Sequence, residues 1–198
     1  MTGGRIALLA AATVIGVALG LIFNAFLADD GGPVVVTGVP KIGGPFELVD
    51  HRGRTVRESD FRGAHLLIFF GYTYCPDVCP TELQKMSAAM DLLGDAGDKV
   101  RPILISIDPE RDTVAVLADY VANFHPRLIG LTGSVEQVAV AAKAYRAYYA
   151  KAPADDEGDY LVDHSSFIYF MGPDGKYLSH FSPTSTPEAM AEKIRSLL

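Results

Sequence analysis

The sequence predicts an α/β domain, a mixed central sheet flanked by helices, preceded by one apolar segment of membrane-spanning length. Three observations predict it. Short apolar runs of strand length alternate with amphipathic segments of helix length. The last two strand-like runs, Ser166 to Met171 and Lys176 to Phe181, are joined by Gly172-Pro173-Asp174-Gly175 as an antiparallel hairpin. The chain has 198 residues, 49% of them hydrophobic, enough for one domain with a real core and something extra.

The extra lies at the N-terminus. Ile6 to Leu27 runs 22 residues without a charge, with only Thr13 and Asn24 as polar side chains. As a helix it reaches roughly 33 Å, against a bilayer core of about 30 Å. Arg5 precedes it and Asp29-Asp30 follow, which places the amino end inside and the rest outside the cytoplasmic membrane. A cleaved signal peptide is the competing reading, but its apolar region is typically only about 7 to 15 residues, and no Ala-x-Ala follows here. Residues 1–28 therefore read as a membrane anchor (or signal peptide), residues 29–45 as a Gly- and Pro-rich flexible tether, and residues 46–198 as the globular domain. The domain then faces an oxidising compartment, the periplasm or outside, where two free cysteines need a reducing partner or a metal.

Within the domain, Phe46 to Val56 reads as a hairpin turned by Asp50-His51-Arg52-Gly53, and His65 to Phe70 as a buried strand. A helix holds Pro80 in its first turn, with Leu83, Met86, Met90 and Leu93 at helical spacing and Gly94 and Gly97 as its stop. Those methionines read as core filling rather than as copper ligands. Val100 to Ile107 is the next strand, Thr113 to Phe124 a helix, Leu128 to Leu131 a short strand, and Val135 to Tyr148 a helix entered by Ser134. The polar stretch Ala150 to Asp159 reads as a surface loop, and Pro187 to Leu197 as the closing helix. The net charge of −7 and the absence of a basic run argue against nucleic acid as a partner.

The chemistry concentrates in Cys75-Pro76-Asp77-Val78-Cys79-Pro80, which holds the only two cysteines of the chain at a strand-to-helix junction. Spacing of four brings two sulfurs to one helical face, close enough to share a metal or to form a disulfide. A helix N-terminus favours the thiolate, the form that does either. Spacing alone leaves both open.

The order of strand, cysteine loop, helix and late hairpin resembles a thioredoxin-like domain. Three motifs are more specific: Gly71-Tyr72-Thr73-Tyr74-Cys75-Pro76-Asp77-Val78-Cys79-Pro80-Thr81, Ser106-Ile107-Asp108-Pro109-Glu110-Arg111-Asp112, and Tyr160-Leu161-Val162-Asp163-His164-Ser165. Together they resemble the Sco/SenC family across essentially the whole domain. The resemblance implies a copper-binding accessory protein for the CuA centre in subunit II of cytochrome c oxidase. It implies Cys75, Cys79 and His164 as ligands of one copper ion, Cu(I) or Cu(II), and Asp108 as a residue that shapes the site. An upstream copper donor, a thiol reductant and a bacterial inner-membrane setting are implied with it. Ala64 and His65 stand where the family usually has Gly-Lys.

Donor chemistry agrees with copper: two thiolates suit Cu(I), an imidazole lets Cu(II) be held, and three ligands leave an open position where a structural zinc site would want four. Zinc stays open on the residues alone. Among the histidines, His51, His65, His125 and His180 read as structural or surface groups. Asp163 could orient the His164 ring or meet a partner, and Asp77 is either a turn former or an accessory to the site. The alternative function is a thiol-disulfide oxidoreductase with Cys75 attacking and Cys79 resolving, either keeping the CuA cysteines reduced or acting in redox signalling. A peroxidase is disfavoured, because the residues beside the cysteines supply no arginine.

Overall fold

Two strands that are apolar along nearly their whole length form the centre of one sheet, as strands covered on both faces must. They are β3 (His65–Gly71), buried throughout, and β4 (Val100–Ser106), of which only Arg101 is partly exposed. The computed structural model describes residues 19–20, 41–155 and 158–198. Leu19 and Gly20 are helical, and the expected anchor and the tether as far as Pro40 otherwise lie outside the described residues. Among the described residues no helix is long and apolar enough to cross a membrane.

Around this pair the chain sets out β1 (Glu47–Asp50), β2 (Thr55–Arg57), α1 (Val78–Leu93), α2 (Val114–Val121), β5 (Ile129–Thr132), α3 (Val135–Tyr145), β6 (Tyr149–Lys151), β7 (Val162–His164), β8 (Ile168–Met171), β9 (Tyr177–Phe181) and α4 (Pro187–Arg195). Seven strands make one mixed sheet in the order β2-β1-β5-β4-β3-β8-β9, and β6 pairs with β7 as a separate ribbon. β3, β4 and β5 run parallel, with Gly71 level with Ser106, while β1, β2, β8 and β9 are antiparallel additions. The C-terminal ends of the three parallel strands therefore open at one end of the sheet, where ligands of open α/β sheets bind.

Helix starts follow local chemistry. Thr113, Ser134 and Thr186 each accept a backbone N–H through their hydroxyls at an N-cap, Ser134 in a capping box with Gln137. α1 buries Leu83, Met86, Met90 and Leu93, and packs on α4. Full burial of side chains of this size is worth roughly 1.5–3 kcal/mol each, which accounts for the two methionines as core.

Three local expectations are corrected. α3 ends at Tyr145 rather than Tyr148, because Arg146 turns left-handed at φ 55° and closes the helix. The chain then becomes β6 within the stretch expected to be loop. His164 lies outside the last hairpin, whose first strand, β8, runs from Ile168 rather than from the expected Ser166. His164 ends β7, opposite Tyr149.

Candidate metal centre

β3 delivers the cysteine loop. Cys75 lies three residues before α1 and Cys79 is its second residue, so the two meet where the loop turns into the helix. The Cys79 N–H donates to Cys75 Sγ at 3.4 Å. Cys79 is fully buried and Cys75 half-buried. Gly71 permits this approach, since a Cβ there would stand 2.9 Å from Cys79 Sγ and 2.7 Å from Phe69.

The third group arrives from β7. His164 Nε2 lies 3.4 Å from Cys79 Sγ, and its Nδ1 is 3.1 Å from the Ser165 carbonyl. A carbonyl only accepts, so Nδ1 carries the proton and Nε2 presents its lone pair to the sulfurs. Phe69 and Tyr72 meet the imidazole edge-on, each with centroids 5.9 Å away. The donor atoms of Cys75, Cys79 and His164 all lie within 4.8 Å of one another.

The pair of thiols is asymmetric. The hydrogen bond from the Cys79 side chain, followed by the opposing effect of burial and then by the Asp77 and Cys79 N–H groups, holds the Cys75 thiol far below its ordinary range, at about 4. The same bond, together with burial, pushes Cys79 far above it. Cys75 is the thiolate, and Cys79 keeps the proton within reach of His164 Nε2. Two sulfurs and one imidazole in this arrangement suit a thiophilic ion such as copper.

The turn after β4 supports the loop. Asp112 is fully buried and accepts from the Thr73 N–H at 3.1 Å, Thr73 Oγ1 at 2.5 Å and Ser106 Oγ at 2.6 Å. Burial raises its carboxyl pKa, and the Ser106 and Thr73 bonds work against that rise. Asp108, also buried, accepts from Arg111 Nε at 2.5 Å and Tyr160 Oη at 2.8 Å, so it stands behind the loops rather than among the sulfurs. Asp77 and Asp163 are exposed beside Cys75 and His164. His51 and His125 accept backbone N–H groups, from Gly130 and Arg127, His65 stacks on Phe170, and His180 meets Tyr177 at the surface. Sequence reading missed Asp112, whose link to Thr73 spans 39 positions. It also missed Arg111, which reaches the loop from the turn and stacks on Tyr74 at 4.7 Å.

Fold and site together define a thioredoxin-like domain with a dithiol and imidazole cluster at the carboxyl ends of its parallel strands. The family model described as SCO1/SenC matches residues 35–198, and the chain belongs to that family. It is 47% identical over 154 residues to the mitochondrial SCO2 homolog of Bos taurus, covering 77% of this chain and 58% of that protein. The matched region spans 53% to 62% of the lengths of the eukaryotic relatives and 77% of the SCO2-like protein of Rickettsia conorii. Bradyrhizobium japonicum ScoI, solved with copper bound, superposes with a TM-score of 0.74 at 45% identity, over 79% of this chain and 99% of that one. BsSco, described as a member of the Sco family of cytochrome c oxidase assembly proteins with a disulfide switch, superposes at 0.63 with 26% identity, over 79% and 94%.

Proposed function

We propose that this chain is a membrane-anchored copper chaperone that holds one copper ion, Cu(I) or Cu(II), on Cys75, Cys79 and His164 and delivers it to the CuA centre of cytochrome c oxidase subunit II. The observation that carries the reading is the convergence of three soft or borderline donors within 4.8 Å, from segments 85 positions apart. The copper-bound relative and the oxidase-assembly relative support cargo and destination. Residues 1–28 anchor the chain in the bacterial cytoplasmic membrane and residues 29–45 tether the domain, which faces the periplasm or the outside.

In this reading the half-buried Cys75 thiolate receives the ion first, since the thiolate is the ligand form and Cys75 is already ionised. Cys79 must give up its proton to bind, and His164 Nε2 lies within reach to take that proton or to ligate. Three ligands leave a position for an incoming ligand of the acceptor, so cargo can pass without being freed into water. Asp77 and Asp163, exposed beside the ligands, mark the mouth where an upstream copper donor or the acceptor approaches. Asp108 shapes the site through Arg111 and Tyr160.

A second reading is favoured by the asymmetry of the thiols. A low-pKa, accessible Cys75 beside a buried Cys79 is the arrangement of a thiol-disulfide reductase. The Cys75 thiolate would attack an acceptor disulfide and release one partner thiol. Cys79 would then displace the second, leaving a Cys75–Cys79 disulfide and two partner thiols, and an external dithiol would reduce the chain again. The separating experiment mixes the copper-loaded chain with a metal-free, reduced CuA domain and follows copper on both proteins. Growth of the CuA spectrum with loss of copper from this chain is expected. No transfer, with reduction of an oxidised CuA dithiol intact, would give the function to the reductase.

A further inference from the structure

The cysteines come from one part of the fold and His164 from a ribbon outside the main sheet, so something must hold the two in register. The ribbon β6–β7 has three residues in each strand, too few to fix itself. Two contacts tie it to the turn after β4. The Lys151 ammonium pairs with Glu110 and lies over the Tyr160 ring at 4.7 Å. The Arg111 guanidinium also lies over Tyr160 at 3.7 Å, over Tyr74 at 4.7 Å and over Tyr72 at 5.9 Å. Tyr74 and Tyr72 belong to the cysteine loop, and Tyr160 leads into β7. Asp108 fixes both members of the central stack, accepting from Arg111 Nε and from Tyr160 Oη with one oxygen each. Tyr72 Oη in turn accepts from the Val162 N–H at 3.1 Å, two residues before His164. One Arg111 Nη is buried with no hydrogen-bond partner among the described residues. Stacking and Asp108 therefore set its place, and a planar cation on aromatic faces is what arginine supplies and lysine does not.

We infer that Arg111 is a positioning residue. Clamped between Tyr160 and Tyr74, it holds the His164 strand against the cysteine loop and so decides whether the third ligand is in place. The role in metal binding rests on the copper reading; the role in holding the ribbon does not. Arg111 touches no donor atom in this scheme. Its effect on copper passes through His164 and leaves the two sulfurs in place.

Two variants test it in the 198-residue chain. Tyr160→Ala removes the stack while Asp108 keeps its arginine, and Arg111→Lys keeps a charge for Asp108 while losing the planar stack. In the metal-free protein, amide hydrogen exchange of residues 149–151 and 162–164 should quicken about tenfold or more in both variants, with β3 and β4 unchanged. In a double-mutant cycle read by Cu(II) affinity, each variant should lose at least about fivefold in the wild-type background and nothing beside His164→Ala. Unchanged exchange in both variants would overturn the inference whatever copper does. Quickened exchange with an equal copper loss in the His164→Ala background would also overturn it, because the effect would not pass through His164. If His164→Ala itself leaves copper binding intact, the copper reading falls, and the exchange data still decide whether Arg111 holds the ribbon.

Discussion

Replacing Asp112 by alanine should loosen the cysteine loop and lower stability by about 3 kcal/mol. The carboxylate is fully buried and accepts from the Thr73 N–H at 3.1 Å, Thr73 Oγ1 at 2.5 Å and Ser106 Oγ at 2.6 Å. Alanine leaves the half-buried Thr73 N–H and two hydroxyls without their acceptor, and each unsatisfied donor costs about 1–3 kcal/mol. The hydroxyls can turn to other acceptors, and alanine escapes the burial that raises the carboxyl pKa, so the loss is about 3 kcal/mol rather than the full sum. A loss of about 3 kcal/mol corresponds to a fall in Tm of about 6–12 °C for a domain of this size. Asp112→Asn keeps one acceptor oxygen and should lose about half as much. Thermal unfolding of the metal-free chain by circular dichroism or calorimetry reads both. If Asp112→Ala melts within about 2 °C of wild type, the three bonds do not carry the loop, and the role given to Asp112 is wrong.

Alkylation of Cys75 by iodoacetamide should be nearly independent of pH from about 5 to 9, falling only as the thiolate protonates near 4, whereas an ordinary thiol gains about tenfold per pH unit below its pKa. A midpoint between about 8 and 9 would contradict the thiolate assignment. By linkage, the lowered Cys75 adds stability fully present above its ordinary value of 9.0 and lost as pH falls toward 4, while the raised Cys79 adds stability present below 9.0 and lost above it. The pair's contribution should therefore peak near pH 9, seen as a maximum in unfolding free energy against pH. Gly71→Ala should cost about 1–3 kcal/mol by overpacking, because the new methyl would press on Phe69 and Cys79 Sγ, and metal-free melts that match wild type would show that the site yields freely.

The centre of the fold was legible because it needed no partner to be recognised. β3 and β4 are apolar runs interrupted only by His65 in one and by Arg101 and Ser106 in the other, and the Ser134 cap announces its helix. The ribbon was not legible, since three-residue strands show no alternation and Arg146 ends α3 without the glycine that usually marks such a stop. At the site, the cysteine motif stood out by composition alone. His164 did so only through the family resemblance, because a single histidine in a polar stretch has no local pattern. Asp112 looks from sequence like a residue before a helix, and its function comes from Thr73, 39 positions away. Arg111 was invisible for the same reason: the absence of an arginine beside the cysteines was a fact about sequence neighbours, and folding supplies one across space.

The most direct test of the central claim is an anaerobic copper titration of the reduced 198-residue chain, with Cu(I) and then Cu(II), in wild type and His164→Ala. One copper per chain, weakened at least about tenfold by the histidine change, or about 1.4 kcal/mol, is the predicted result. Equal affinity in the two proteins, or copper held no more tightly than by a simple dithiol, would contradict a site built from Cys75, Cys79 and His164.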